Sequence, residues 1–165
     1  MDMSTPIRSV LMVCTGNICR SPAAEAVLRQ QLVSAGLGHV AVDSAGTGDW
    51  HAGEQSHANS RRAGAARGYV LDHRARMVTG RDERFDLVLA MDAGHLRWLE
   101  RHLPGHGGLR LFRSFELAPP RAGDDAPDLE DPYGHPLLVY EAMYDVIERT
   151  TPGIVEAVRE THDQA

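Results

Sequence analysis

Cys14, Arg20 and Ser21 fall inside one short run, Cys14-Thr15-Gly16-Asn17-Ile18-Cys19-Arg20-Ser21, with Pro22 directly after it. A thiol, a guanidinium and a hydroxyl at this spacing suit nucleophilic attack on a bound oxyanion. The run follows a short apolar, β-branched stretch (7–13) and precedes a helix pattern, so it joins a strand end to a helix N-terminus. Free N–H groups and the helix dipole converge there and favour anions. A loop curling on itself aims the amides of Thr15, Gly16, Asn17, Ile18 and Cys19 at one centre. Gly16 is the residue expected to supply positive φ for that curl. Cys14 shares the positive field, which favours thiolate, the nucleophilic form. Arg20 can grip two oxygens of a tetrahedral anion through its planar fork. Ser21 can donate to the sulfur and also fits a helix N-cap, with Pro22 at the first helical position and Glu25 in the first turn.

The elements that must hold this loop are legible by pattern. Strands are expected at 7–13, 40–43, 85–91 and 109–112. Helices are expected at 22–36, 57–67, 92–103 (started by Asp92 or a neighbour) and 137–150. Pro152 should kink or restart the last helix, which then runs to about 160. Strands alternating with helices predict an α/β domain, a four-stranded parallel sheet with helices on both faces, spanning 1–165 as one unit. Ligands in such folds bind beyond the carboxyl ends of the strands, where the 14–21 loop lies. Residues 118–136 hold five of the nine prolines and four aspartates, which reads as a long surface loop of functional length.

Composition narrows the field. The chain has 165 residues, 42% apolar and 24% charged, the size and balance of one globular domain. Its formal net charge is −6, which argues against a nucleic-acid or anionic-membrane surface. All 17 basic residues are Arg, so no lysine can be catalytic. No apolar run would cross a bilayer, and the first residues do not read as a signal peptide, so a cytoplasmic location is expected. Two cysteines five apart, with no further ligands nearby, suit neither a disulfide framework nor a zinc site; no metal or cofactor is expected.

A leaving oxygen needs a proton, and a carboxylic acid beside the pocket is the usual donor. By residue type alone many carboxylates could serve. Asp131 stands out because Pro132 stiffens it and Tyr133 follows, although an Asp before Pro is equally a common turn; Asp128 is the alternative. Trp50 and Tyr133 are expected to wall the pocket, and aromatic walls suit a phenyl ring. His51 could be rim or plain surface. Cys19 could form a reversible disulfide with Cys14 or pack inertly beneath the loop.

The segment VCTGNICRSP (13–22) resembles the signature of the low-molecular-weight protein tyrosine phosphatases, and of their bacterial branch in particular. DSAGTGDW (43–50), DHRAR (72–76), FDLVLAMD (85–92) and EDPYG (130–134) resemble the same family in the same order. The resemblance implies a flavodoxin-like phosphatase domain. It implies hydrolysis of phosphotyrosine in proteins through a phosphocysteine on Cys14, with phosphate as product and Asp131 as general acid and then base. It also implies that Asn17, Ser44 and His73 form a hydrogen-bond network behind the cradle. The expected state is a monomer or weak homodimer. Gly134 departs from the family, which often has a second aromatic there. Arsenate reductases of related type need a cysteine relay that ends here at Cys19. Phosphoarginine phosphatases, as the resemblance implies, tend to carry Thr where this chain has Ile18. An inactive phosphate-binding module would require a lost nucleophile, Arg or acid. A dinucleotide site would want several glycines in the first turn, where only Gly16 stands.

Overall fold

The stretch Val10-Leu11-Met12-Val13 has no polar residue to turn toward water, so it must be covered on both faces. A computed structural model, describing residues 5–117 and 126–164, shows how. Strand β1 (Ser9–Cys14) lies inside a four-stranded parallel sheet with β2 (Ala41–Gly46), β3 (Leu87–Ala90) and β4 (Leu109–Leu111), in the order β2-β1-β3-β4. Side chains alternate across it. Val10, Met12 and Cys14 join a cluster with Val27, Leu28, Tyr140 and Ile147, from helices α1 (Arg20–Ser34) and α4 (Leu137–Asp163). Leu11 and Val13 join Leu99 and Leu103 at helix α3 (Ala93–His102) on the other face. Helix α2 (Ala58–Ala65) packs against α4 through Tyr144, whose hydroxyl donates to the Ser60 carbonyl. The four-stranded parallel α/β architecture read from the sequence is therefore the observed one.

Three local expectations change. Helix α1 starts at Arg20, with Cys19 as N-cap and no side-chain cap. Ser21 is thus inside the helix and its hydroxyl is free for the neighbouring sulfur. Positive φ in the loop is taken by Asn17 (φ 58°), not Gly16; asparagine tolerates this region best among residues with a side chain. Helix α4 runs unbroken through Pro152. The Thr150 and Thr151 hydroxyls donate to the carbonyls of Val146 and Ile147 one turn back. Gly153 lies so close to the Phe115 carbonyl oxygen that a Cβ would come within 1.8 Å of it. Burial on both sides of the proline holds the helix together against its missing N–H. Of the expected 118–136 loop, 118–125 lie outside the described residues. Residues 126–136 are irregular up to the start of α4.

Candidate active site

Cys14 ends β1 opposite Gly46 of β2, at the carboxyl edge of the sheet. The neighbouring strand's exit braces the loop that follows. Thr47 N–H donates to the Cys14 carbonyl at 2.9 Å and Gly48 N–H to the Thr15 carbonyl at 3.2 Å. Gly46 is required for this approach: a Cβ there would sit 2.6 Å from the Thr15 carbonyl oxygen. The Cys14 sulfur is 2.9 Å from the Ser21 hydroxyl.

Asn17 ties the loop from behind. Its Nδ2 donates to the hydroxyls of Ser21 (2.8 Å) and Ser44 (3.0 Å), and its Oδ1 accepts from Arg76 N–H (2.9 Å). His73 Nε2 is 2.8 Å from the Asn17 carbonyl oxygen, so that nitrogen carries the proton and donates. Ser44 in turn donates to Glu25 Oε1 at 2.6 Å. Glu25, expected only to favour a helix dipole, is instead a buried acceptor in this network. Arg76 is held by Asp43 and Asp82, both at 3.0 Å. Asn17, Ser21, Ser44 and His73 thus sit behind the cradle, and the lining of the pocket includes none of them. Ser21 lies beside the Cys14 sulfur, as expected of it, but does not itself line the pocket.

Arg20 is 3% exposed. Its Nη1 donates to Asp92 Oδ2 and to the Leu129 carbonyl, each at 3.0 Å. Its Nη2 lies 3.4 Å from Thr15 Oγ1 and 3.6 Å from Asp131 Oδ2. Burial pushes the Asp92 carboxyl up, but the His95 N–H, the His95 ring and the Arg20 guanidinium outweigh it and leave the group below its usual range. Asp131 is placed by an anchor two residues earlier in the chain. Leu129 is buried, and its N–H donates to the Met91 carbonyl just beyond β3, which pins the segment at the sheet edge. Asp131 Oδ1 then accepts from Tyr133 N–H at 3.1 Å, a local turn that Pro132 stiffens. Asp128, the alternative acid, instead accepts from Ala93 N–H at the start of α3 and is not part of the pocket.

A cavity of about 250 Å³ opens above Cys14, bounded by the loop residues Thr15, Gly16, Ile18, Cys19 and Arg20. Trp50, His51, Asp131 and Tyr133 complete its wall. Trp50 is 68% and Tyr133 55% exposed, which places both at a rim and not in the core. His51 is a wall residue paired with Glu54, and its ring is 6.2 Å from that of Tyr133. His57 meets Tyr133 edge-on at 5.9 Å and stacks on Tyr140 at 5.1 Å. Gly134, at φ 81°, turns the chain away and is not part of the wall. Both cysteines are free thiols. Burial, with Cys14 and Asp131 adding to it, pushes the Cys19 thiol up to about 12 against the pull of the Tyr140 contact at 3.6 Å and of Arg20.

Sequence reasoning did not find His57, Tyr140, Glu25 or His95 at this site, and saw in Asp92 only a helix start. Only Asp92 and Glu25 carried a local signal, as a helix start and a first-turn charge.

Against known proteins, the model of the family "Low molecular weight phosphotyrosine protein phosphatase" matches residues 9–164. A low molecular weight protein-tyrosine-phosphatase of Streptomyces coelicolor is 47% identical over 156 residues, covering 92% of this chain and 93% of its own. A protein tyrosine phosphatase structure from Entamoeba histolytica superposes with a TM-score of 0.85 at 30% identity, covering 92% and 97%. The arginine phosphatase YwlE superposes equally well, at 0.85, over 95% and 99% but with 23% identity, a likeness of fold.

Proposed function

The chain belongs to the low-molecular-weight phosphotyrosine protein phosphatase family, and from that premise we propose that it hydrolyses phosphotyrosine in proteins through a phosphocysteine on Cys14. The observation that carries this reading is convergence. The Cys14 sulfur, the Arg20 fork and the Asp131 carboxyl meet in one cavity, although they come from a strand end, a helix start and a loop more than a hundred residues later.

The Cys14 thiolate attacks phosphorus in line with the ester oxygen. The S–P bond forms as the P–O bond to the phenol breaks. Asp131, protonated, gives its proton to the departing oxygen. Arg20 and the loop amides hold the three equatorial oxygens, where charge is spread in the transition state. Water then attacks the phosphocysteine, Asp131 takes its proton, and the S–P bond breaks to return thiolate and inorganic phosphate. The Ser21 hydroxyl, 2.9 Å from the sulfur, stabilises the thiolate as it leaves. None of these steps draws on a metal or cofactor. Trp50 and Tyr133 flank the mouth and suit a flat ring, and Ile18 presents an apolar edge in the loop. The substrate is accordingly a phosphotyrosine side chain of a protein. Residues 1–165 act as one catalytic domain, monomeric or weakly dimeric, in the cytoplasm. Among the described residues no helix is long and apolar enough to cross a membrane.

Cys14→Ser should abolish turnover of aryl phosphates. Asp131→Ala should slow a poor leaving group such as phenol by about 10²-fold or more, and p-nitrophenol far less. Equal losses on both would remove Asp131 from the acid role. Peptides carrying phosphotyrosine, phosphoserine and phosphoarginine, compared by kcat/KM, test the substrate; preference for phosphoarginine would overturn it.

A further inference from the structure

One buried titratable group beside Arg20 has no part in this scheme. His95, the third residue of α3, is 5% exposed. Its Nε2 lies 2.8 Å from Thr15 Oγ1, eighty positions away in the chain. Its Nδ1 is buried without a hydrogen-bond partner, yet sits 3.3 Å from Asp92 Oδ1. That spacing is close but misaligned for a hydrogen bond.

The tautomer follows from these contacts. An unprotonated Nδ1 would aim its lone pair at a carboxylate oxygen, whereas an Nδ1–H is attracted to it. Nε2 is then the acceptor, and the Thr15 hydroxyl donates to it. The Thr15 oxygen keeps its own lone pairs for Arg20 Nη2 at 3.4 Å. The ring is neutral. Burial pushes it down to about 4, against the pull of Asp92; Arg20 adds to the fall, while Asp131 and Asp128 oppose it. The His95–Asp92 contact is therefore a dipole–charge contact and not an ion pair at neutral pH.

We propose that His95 is a positioning residue for the phosphate-binding arginine: as a neutral acceptor it orients the Thr15 hydroxyl and closes a ring of contacts, Asp92–His95–Thr15–Arg20–Asp92, that fixes both terminal nitrogens of the guanidinium. Nη1 is held by Asp92 directly, and Nη2 is steered by Asp92 through His95 and Thr15. A planar fork must match two phosphate oxygens at once, so a small rotation of its plane loses both bonds together. The inference rests on Arg20 binding the phosphoryl group, as set out above.

Filling space alone would be served by any ring of similar size, and this separates the two roles. His95→Phe keeps the ring but removes the acceptor. His95→Gln returns a polar group near Nε2. Thr15→Val removes the hydroxyl at nearly the same shape, and Thr15→Ser keeps it. The probes are inorganic phosphate, titrated calorimetrically into each variant, and p-nitrophenyl phosphate turnover. His95→Phe and Thr15→Val should each weaken phosphate binding about tenfold, with a matching fall in kcat/KM. The double variant should fall no further than either single one, because both cut the same path. His95→Gln and Thr15→Ser should stay within about threefold of the parent protein. A folded His95→Phe that binds phosphate like the parent overturns the proposal, as do losses that multiply in the double variant. Should His95→Phe fail to fold, Thr15→Val against Thr15→Ser decides: equal phosphate binding by the two overturns it. Phosphate binding also keeps this result apart from the catalytic scheme. If the scheme fails, Cys14→Ser stays active while the phosphate titrations still report on the ring.

Discussion

Replacing Asn17 with Ala should cost about 4 kcal/mol of folding stability. The side chain is fully buried and makes three hydrogen bonds, to Ser21, Ser44 and the Arg76 N–H. At about 1 kcal/mol net each, their loss costs about 3 kcal/mol. The backbone at Asn17 is left-handed, φ 58°, where Ala costs roughly 1 kcal/mol more. Set against a domain stability of about 5–15 kcal/mol, this is a large fraction. The assay is urea unfolding in phosphate-free buffer, because a ligand bound to the native state would mask the loss. The midpoint should fall with the slope unchanged. Asn17→Gly separates the two contributions: it removes the left-handed strain but not the hydrogen-bond loss, so it should recover at most about 1 kcal/mol. Turnover should fall as well, since the Ser21 hydroxyl beside the sulfur loses its Asn17 donor. An Asn17→Ala loss below about 1 kcal/mol, or full recovery in Asn17→Gly, would refute the reasoning.

Three further outcomes can be checked. His95 is pushed from its ordinary 6.5 down to about 4 by burial, so between those values the unfolded chain binds the extra proton and stability rises with pH. The gap, at about 1.4 kcal/mol per pH unit, is worth about 3 kcal/mol, lost as pH falls from 6.5 to 4; His95→Gln should flatten that part of the stability–pH curve, and an unchanged curve would count against it. Gly46→Ala should lower kcat at least tenfold because its Cβ would press on the Thr15 carbonyl, while Gly80→Ala, which meets nothing within 4 Å, should leave kcat alone. Leu129→Ala should cost about 3 kcal/mol in the melt and slow poor leaving groups more than good ones, because the anchor that aims Asp131 is loosened. Equal fractional losses on both leaving groups would show that the anchor does not aim the acid.

Much of the fold was legible because its signals are local. A fully apolar strand, a polar loop and a helix pattern lie within thirty residues at the N-terminus, and each is set by neighbours in the chain. The anion-binding role proposed for 14–21 follows from the same short range, as does the choice of Cys14 as the proposed nucleophile. Asp131 needed more: residue type left it one carboxylate among several, and the family resemblance singled it out.

What stayed hidden depended on contacts distant in sequence. Helix α1 begins two residues before Pro22, with Cys19 and not Ser21 at its N-cap, because the loop closes on itself. Pro152 does not break α4, since the burial of Ile147 and Ile154 on either side outweighs a missing N–H. Glu25 reads as a first-turn charge until β2 brings Ser44 to it. Nothing in the local sequence singles out His95, which reaches the loop only when β1 and β3 pair and set the start of α3 against it. The amino-acid sequence alone thus determined the strand–loop–helix segment and the chemistry proposed for it, which short-range geometry dictates. Only the tertiary structure decided what aims Arg20 and Asp131. Those partners, Asp92, Leu129 and the His95–Thr15 pair, meet only once the parallel sheet has brought its carboxyl edges together.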